Sequence, residues 1–458
     1  LLRQSDPISS VYLVGSHKSL SMKINLPETG QKRVVIVGGG FAGLELAKKL
    51  VKGPYQVVLL DKNNYHQFQP LLYQVATAGL EPSSIAFPLR KLFQKCPNFY
   101  FRMTEVQAIH PEKRCLTTPR GIVWYDYLVL ALGAQTNFFG NAQFLAHAIP
   151  MKSISEALYL RNAILSDLEV ALTTPEYERR QGLVDVVIVG GGPTGVELAG
   201  ALAEMRHWIL PKDYPELDAS EVDIYLVQAG ERLLPGMSHE AAQSALYYLQ
   251  SMGVHVILGD RVIDYDGSWV CLKSGRRIYS KKVIWAAGIK GQTIQGIAST
   301  SIGPGNRICV DAFHRVKGYN DIFAIGDVAL MKEDPNWPEG HPQVAQVAIQ
   351  QGLNLGNNLL RQMQGKDLIP FRYIDKGSLA TIGRNKAVAD LPFWNTQGWI
   401  AWVLWLFVHL FALVGTKNKV FVFLNWVWNY ITYDQSLRLI IRPWLRKKQG
   451  ENTPSCPE

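Results

Sequence analysis

Gly38, Gly40 and Gly43 form a Gly-x-Gly-x-x-Gly run, and Gly190, Gly192 and Gly195 repeat it 152 residues later. In such a run the first glycine permits a tight turn and the second lets the backbone approach a pyrophosphate. The third lets a helix pack closely on a strand. Each run follows a β-branched stretch, Val34-Val35-Ile36-Val37 or Val186-Val187-Ile188-Val189, and opens a helix-forming one. That context makes a weak glycine pattern specific. The helix start adds free N–H groups and a positive dipole end, which suit a phosphate. Asp61 closes the next β-run, 23 residues after Gly38. A carboxylate there can accept hydrogen bonds from a ribose.

These residues need strands ending in tight turns, and the chain has room for them. Its 458 residues allow two or three domains, and 47% hydrophobic against 19% charged residues supports a large core. The net charge of +9 suits an anionic cofactor or membrane and is too dilute for nucleic acid. Cys96, Cys115, Cys271, Cys309 and Cys456 are far apart, so a disulfide framework, a metal site and a Cys-x-x-Cys redox centre are not expected. Residues 1–30 carry no apolar stretch of signal-peptide length and are assigned no function. Seven of the twelve tryptophans lie beyond residue 389, which marks the C-terminal end as different.

Further motifs narrow the reading. The run Asn320 to Asp327, a short strand ending in Gly326-Asp327, resembles the second FAD motif of the flavoproteins with two dinucleotide-binding domains. Tyr125 to Gly133 and Val283 to Gly288 resemble that family's two linker strands. The resemblance implies an α/β fold in which two Rossmann-like domains, an FAD domain and an inserted NAD(P)H domain, precede a helical membrane-associating segment. The boundaries are 31–150 and 300–390 for FAD, 151–299 for NAD(P)H and 391–458 for the membrane segment. FAD would use Gly38, Gly40, Phe41, Ala42, Gly43, Asp61, Lys62, Gly133, Asp327 and Gln346. NADH would use Gly190, Gly192, Pro193, Thr194, Gly195, Glu197, Gln228 and Gly288. Gln228 stands where an acidic residue normally selects NADH. A neutral amide does not repel a 2′-phosphate, and Arg232 is near, so NADH is expected with NADPH tolerated. Glu231 is the ribose partner if the turn is shifted.

Asn63 to Gly79, Ala345-Gln346-Val347-Ala348-Ile349-Gln350-Gln351-Gly352, Asp375 to Gly383 and the Trp-rich end together resemble the type II NADH:quinone oxidoreductases. This implies hydride transfer from NADH to FAD N5 and two-electron reduction of a membrane quinone on the other flavin face, without proton pumping. Gln346 and Gln350, at i and i+4, share a helix face that can address a carbonyl or satisfy buried backbone. Ile349 and Leu379 would wall a quinone ring. Lys376 is either a proton donor or a surface lysine. Glu197 either tunes nicotinamide binding and proton traffic or simply favours the helix start.

Residues 398–415 carry no formal charge, and Trp399, Trp402, Trp405 and His409 recur at helical spacing, a stripe suited to the lipid headgroup boundary. Asn425, Asn429 and Thr432 make a polar stripe on the next stretch. Lys417, Lys419, Arg438, Arg442, Arg446, Lys447 and Lys448 can meet anionic lipid. A helical pair lying on the membrane, facing the NADH-containing cytoplasmic or equivalent compartment, is expected, and the family implies a homodimer. Two rivals are a sulfide:quinone reductase, which needs paired cysteines, and a redox-sensing flavoprotein of the apoptosis-inducing-factor type.

Overall fold

The structure is a computed structural model that describes residues 23–433 and 437–441. The start of the N-terminal extension and the basic tail from Arg442 lie outside the described residues. The elements that position the candidate sites run in chain order. Strand β1 (Lys32–Val37) leads into helix α1 (Phe41–Leu50) and strand β2 (Tyr55–Asp61). Helix α2 (Leu72–Ala76) and strands β3 (Phe99–Met103) and β4 (Tyr127–Leu130) follow. Strand β5 (Val186–Val189) feeds helix α3 (Pro193–Trp208). Next come strands β6 (Ile224–Gln228), β7 (His255–Leu258), β8 (Lys282–Trp285) and β9 (Ile322–Ala324). The chain continues through helix α4 (Ala345–Met363) and strands β10 (Ser378–Gly383) and β11 (Lys386–Leu391). It closes with helices α5 (Trp399–Ala412) and α6 (Thr416–Thr432).

The chain divides into two compact units. The first takes the described residues up to His66, with Phe87–Gln135 and Ile289–Lys376. Its sheet has the order β9-β4-β1-β2-β3, and all four pairings are parallel. Strand β1 is a near-continuous apolar run because it is covered on both faces. Helix α4 crosses α1 so closely that a Cβ at Gly352 would lie 2.4 Å from the Ala42 carbonyl oxygen. The Tyr55 hydroxyl ties β2 to the Leu359 carbonyl of α4 at 2.7 Å.

The second unit takes Gln67–Ala86, Thr136–Gly288 and the described residues from Gly377 onward. Its parallel sheet runs from the short strand Ile149–Pro150 through β8, β5 and β6 to β7. Residues 67–86, 136–150 and 377–390 group with the second unit and 289–299 with the first, and for 377–390 the grouping follows from packing on α3. The cause is local. Gly200 leaves room on α3 for β10, and a Cβ there would sit 1.6 Å from the Ile382 carbonyl oxygen. β10 and β11 form an antiparallel pair whose small buried residues Ala387 and Ala389 meet Ala401 of α5.

The C-terminal helices correct one sequence expectation. The stripe of Trp402, Trp405 and His409 faces into the second unit, where Trp405 is only 1% exposed, rather than toward a headgroup layer. The outward face carries Trp399, Val403, Phe407 and Phe411, the last 60% exposed. Trp405 turns inward, where its indole N–H meets the Glu197 carboxyl, and the His409 ring stacks on it and donates to the Trp405 carbonyl of the same helix. The Asn stripe also faces protein, where the Asn429 amide donates to the Gly79 carbonyl at 3.4 Å. No described helix is long and apolar enough to cross a membrane.

Gly200→Ala should force α3 away from β10 and lower stability by roughly 1–3 kcal/mol, the usual cost of overpacking. The measurement is the midpoint of thermal unfolding, and a surface Gly236→Ala, whose Cβ would meet open space, is its control.

Candidate functional site

The two glycine turns are built alike. Gly38 has φ +110° and Gly190 has φ +115°, a backbone region that an L side chain adopts only under strain. A Cβ at Gly43 would lie 1.9 Å from the Gly38 carbonyl oxygen, and one at Gly195 would lie 1.9 Å from that of Gly190. Each helix therefore starts flush against its strand. Above the helix starts, a Cβ at Gly40 or Gly192 would meet nothing within 4 Å, which leaves both N-termini open to a phosphate.

In the first unit Asp61 binds the glycine turn itself. Its Oδ2 accepts from the Gly39 N–H at 2.6 Å, and its Oδ1 accepts from the Asn63 N–H at 2.7 Å. Burial pushes this carboxyl up, against both hydrogen bonds. Each oxygen keeps a lone pair for a ribose hydroxyl. Phe41 and Ala42 open α1, Gly133 follows β4 with φ +70°, and Asp327 follows β9. These residues gather at the carboxyl ends of the parallel strands, where α/β sheets bind nucleotides. Lys62 is exposed beside them.

Two residues of this unit escaped sequence reasoning. His66 donates from Nδ1 to the Gly39 carbonyl at 3.0 Å, while its buried Nε2 has no partner among the described residues. Burial lowers its pKa and favours the neutral ring, so Nε2 is a buried acceptor. Gln351, 1% exposed, accepts from the Gly326 N–H at 2.7 Å and fixes the turn before Asp327. His66 lay within a quoted motif, and Gln351 directly follows Gln350, so adjacency was the available signal. An orphaned acceptor and an open helix start fit a dinucleotide such as FAD.

Gln346 and Gln350 do share one face of α4, and both amides engage backbone. Gln346 Oε1 accepts from the Lys376 N–H at 3.1 Å. Gln350 donates to the Ile374 carbonyl at 2.8 Å and accepts from its N–H at 3.1 Å. Ile349 is half-buried and Lys376 exposed. Leu379 belongs to the second unit, packed with Trp402 and Leu404 against the β10–β11 core.

In the second unit Gln228 repeats the part of Asp61, with Oε1 accepting from the Gly191 N–H at 2.8 Å. Pro193 and Thr194 form the first turn of α3, and Gly288 has φ +159°. Glu197, one turn on, is buried. It accepts from the Trp405 indole N–H at 3.3 Å and from the Thr381 backbone, and burial pushes its pKa up to about 8. Tyr73, pushed up by burial, accepts from Gln74 at 2.8 Å, and Gln74 accepts from Trp426 at 2.9 Å. His409 donates to the Trp405 carbonyl and is held down at about 4 by burial. Glu197, Tyr73 and Trp405 line a cavity of about 140 Å³ within this unit.

Residues 32–352 match the pyridine nucleotide-disulphide oxidoreductase family and residues 376–432 match the NDH2 C-terminal domain. The chain is 35% identical over 415 residues to the type II NADH:quinone oxidoreductase Ndh of Mycobacterium tuberculosis, covering 87% of this chain and 88% of that protein. The chain belongs to the type II NADH:quinone oxidoreductase family. A Haemophilus influenzae member of the same name is 30% identical over 390 residues, covering 79% of this chain and 87% of that protein. The solved structure of NDH2 from Plasmodium falciparum in complex with NADH has the same fold. Its TM-score is 0.82 at 22% identity, covering 90% of this chain and all of that one.

The raised pKa of Glu197 has a stability signature. Folding favours its protonated form, so its contribution is full below the unfolded value of 4.5 and is lost as pH rises to about 8. Glu197→Gln should gain stability relative to the parent between pH 5 and 8 and show a constant difference above that. Melting temperatures of both proteins across this range test it.

Proposed function

We propose that this chain oxidises NADH and reduces a quinone at a membrane surface, without moving protons across it. The observation that carries this reading is the pair of matching glycine turns, each with an open helix start and a side-chain acceptor on the residue after its first glycine, Gly39 or Gly191. When bound, FAD supplies the two-electron carrier between nicotinamide and quinone. The first unit would hold it through the N–H groups of α1, Asp61, the neutral His66 and the turn at Asp327. Gln346, Gln350, Ile349 and Lys376 are our candidates for the quinone side.

The second unit would hold NADH on the α3 start, with its adenosine ribose near Gln228. Because Oε1 of Gln228 is occupied by Gly191, its amide N–H groups remain to meet a ribose hydroxyl or a 2′-phosphate. That supports tolerance of NADPH. Glu197 keeps its proton to about pH 8 and so offers a proton rather than a charge at neutral pH. Anaerobic addition of NADH, and then NADPH, to the purified yellow protein should bleach the flavin. A short-tail quinone should then restore the colour within the time of a turnover. A flavin that stays bleached after quinone addition refutes this function.

Helix α5 has 14 residues, about 21 Å at 1.5 Å per residue, short of the roughly 30 Å of a bilayer core. Its outward row of Trp399, Val403, Phe407 and Phe411, with Trp428 and Ile431 of α6, suits shallow burial in lipid, and Lys417 and Lys419 suit an anionic surface. The double variant Phe407→Glu, Phe411→Glu should bind anionic vesicles at least about tenfold more weakly, since each buried Phe contributes roughly 1.5–3 kcal/mol. Vesicle co-sedimentation measures this, and undiminished sedimentation would count against the anchoring role.

A further inference from the structure

We infer that the exposed ring of Phe139 holds the nicotinamide half of NADH at the end of β8, on the side of the second glycine turn away from Gln228. The inference rests on the NADH-oxidising function above and adds a residue outside both glycine motifs. The backbone at Phe139 is left-handed, with φ +52°, which a bulky side chain adopts only under strain. Its neighbours enforce that conformation. The Phe139 N–H donates to Asn137 Oδ1 at 2.9 Å, and the Asn137 carbonyl accepts from the Trp285 indole N–H at 2.8 Å. The Asn137 N–H in turn donates to the Gly288 carbonyl at 3.0 Å. This turn sends two adjacent rings in different directions. Phe138 packs inward, with its ring centre 5.9 Å from that of Trp285, while Phe139 stands 64% exposed. A strained backbone that presents an aromatic ring to solvent gains little from packing, and such strain gathers at ligand contacts.

The position of the ring selects the ligand. Phe139 touches Gly288, where a Cβ would fall 3.2 Å from its Cζ. Gly288 closes the segment that follows β8, and the glycine turn abuts this segment. A Cβ at Gly190 would lie 2.5 Å from the Ala286 carbonyl oxygen. Strand β5, which carries the turn, has β8 on one flank and β6 on the other. A dinucleotide whose pyrophosphate sits on the start of α3 sends one nucleoside toward each flank. Gln228 ends β6 and offers its amide N–H groups to the adenosine ribose, because its oxygen is taken by the Gly191 N–H. The β8 flank then receives the nicotinamide nucleoside, and Phe139 presents a flat apolar ring there. An aromatic face suits the planar nicotinamide and does little for the charged phosphates.

The test uses the flavin-loaded full chain and NAD+, which carries the nicotinamide ring without reducing the flavin. Calorimetry should show Phe139→Ala binding NAD+ about tenfold more weakly than the parent. Its affinity for ADP-ribose, which lacks the nicotinamide, should stay at the parent value. Phe139→Tyr keeps the ring and should bind both ligands as the parent does. Phe139→Asn, whose side chain tolerates a left-handed backbone, should melt no lower than the parent and still lose NAD+ affinity. That variant carries the test if Phe139→Ala does not fold. An unchanged NAD+ affinity, or an equal loss for NAD+ and ADP-ribose, overturns the inference. A parent protein that binds neither ligand instead overturns the NADH reading on which it rests.

Discussion

Both glycine turns depend on one contact, the touch between the first and third glycines of each. Gly43 meets the Gly38 carbonyl and Gly195 meets the Gly190 carbonyl with no room for a side chain between them. That contact presses the first turn of each helix against the end of its strand. The helix start then points its free N–H groups at the space just beyond the sheet. The candidate nucleotide-binding residues hang from this geometry. Asp61 and Gln228 reach back to the residue after the first glycine, Gly39 and Gly191, while Gly133, Gly288 and Asp327 follow neighbouring strands.

Helix α3 shows how one element can serve two environments. Its first turn forms the second nucleotide cradle, and its middle admits β10 at Gly200. Its remaining inner positions place Glu197 and Glu204 beside the aromatic cavity under α5 and α6. The small residues Ala199, Gly200, Ala201 and Ala203 allow this close packing, and a bulkier helix would hold the C-terminal strands away. The carboxyl groups stay buried because indole and backbone N–H groups meet them, at the expense of their usual acidity.

The parallel sheets and both glycine turns were legible in the sequence because their signals are local: a β-branched run, a glycine spacing and a following helix. Asp327 and the Gln346–Gln350 pair were legible as motifs, but not the backbone groups they would address. Those partners, Ile374 and Lys376, lie more than twenty residues away and come close only through the fold. The inward turn of Trp405 and His409 was not legible either. A row of aromatic residues at helical spacing has the same pattern whether it faces lipid or a buried carboxyl. Partners far away in the chain, among them Glu197, Tyr73 and Phe68, distinguish the two.

The hydrogen bond from Gly191 to Gln228 uses a carbonyl-type oxygen that glutamate also possesses. Exchange between these two amino acids therefore leaves the architecture of the turn untouched while changing the charge presented to the nucleotide. A glutamine-to-glutamate exchange at this one position thus alters the charge beside the turn without asking anything of the backbone that holds it.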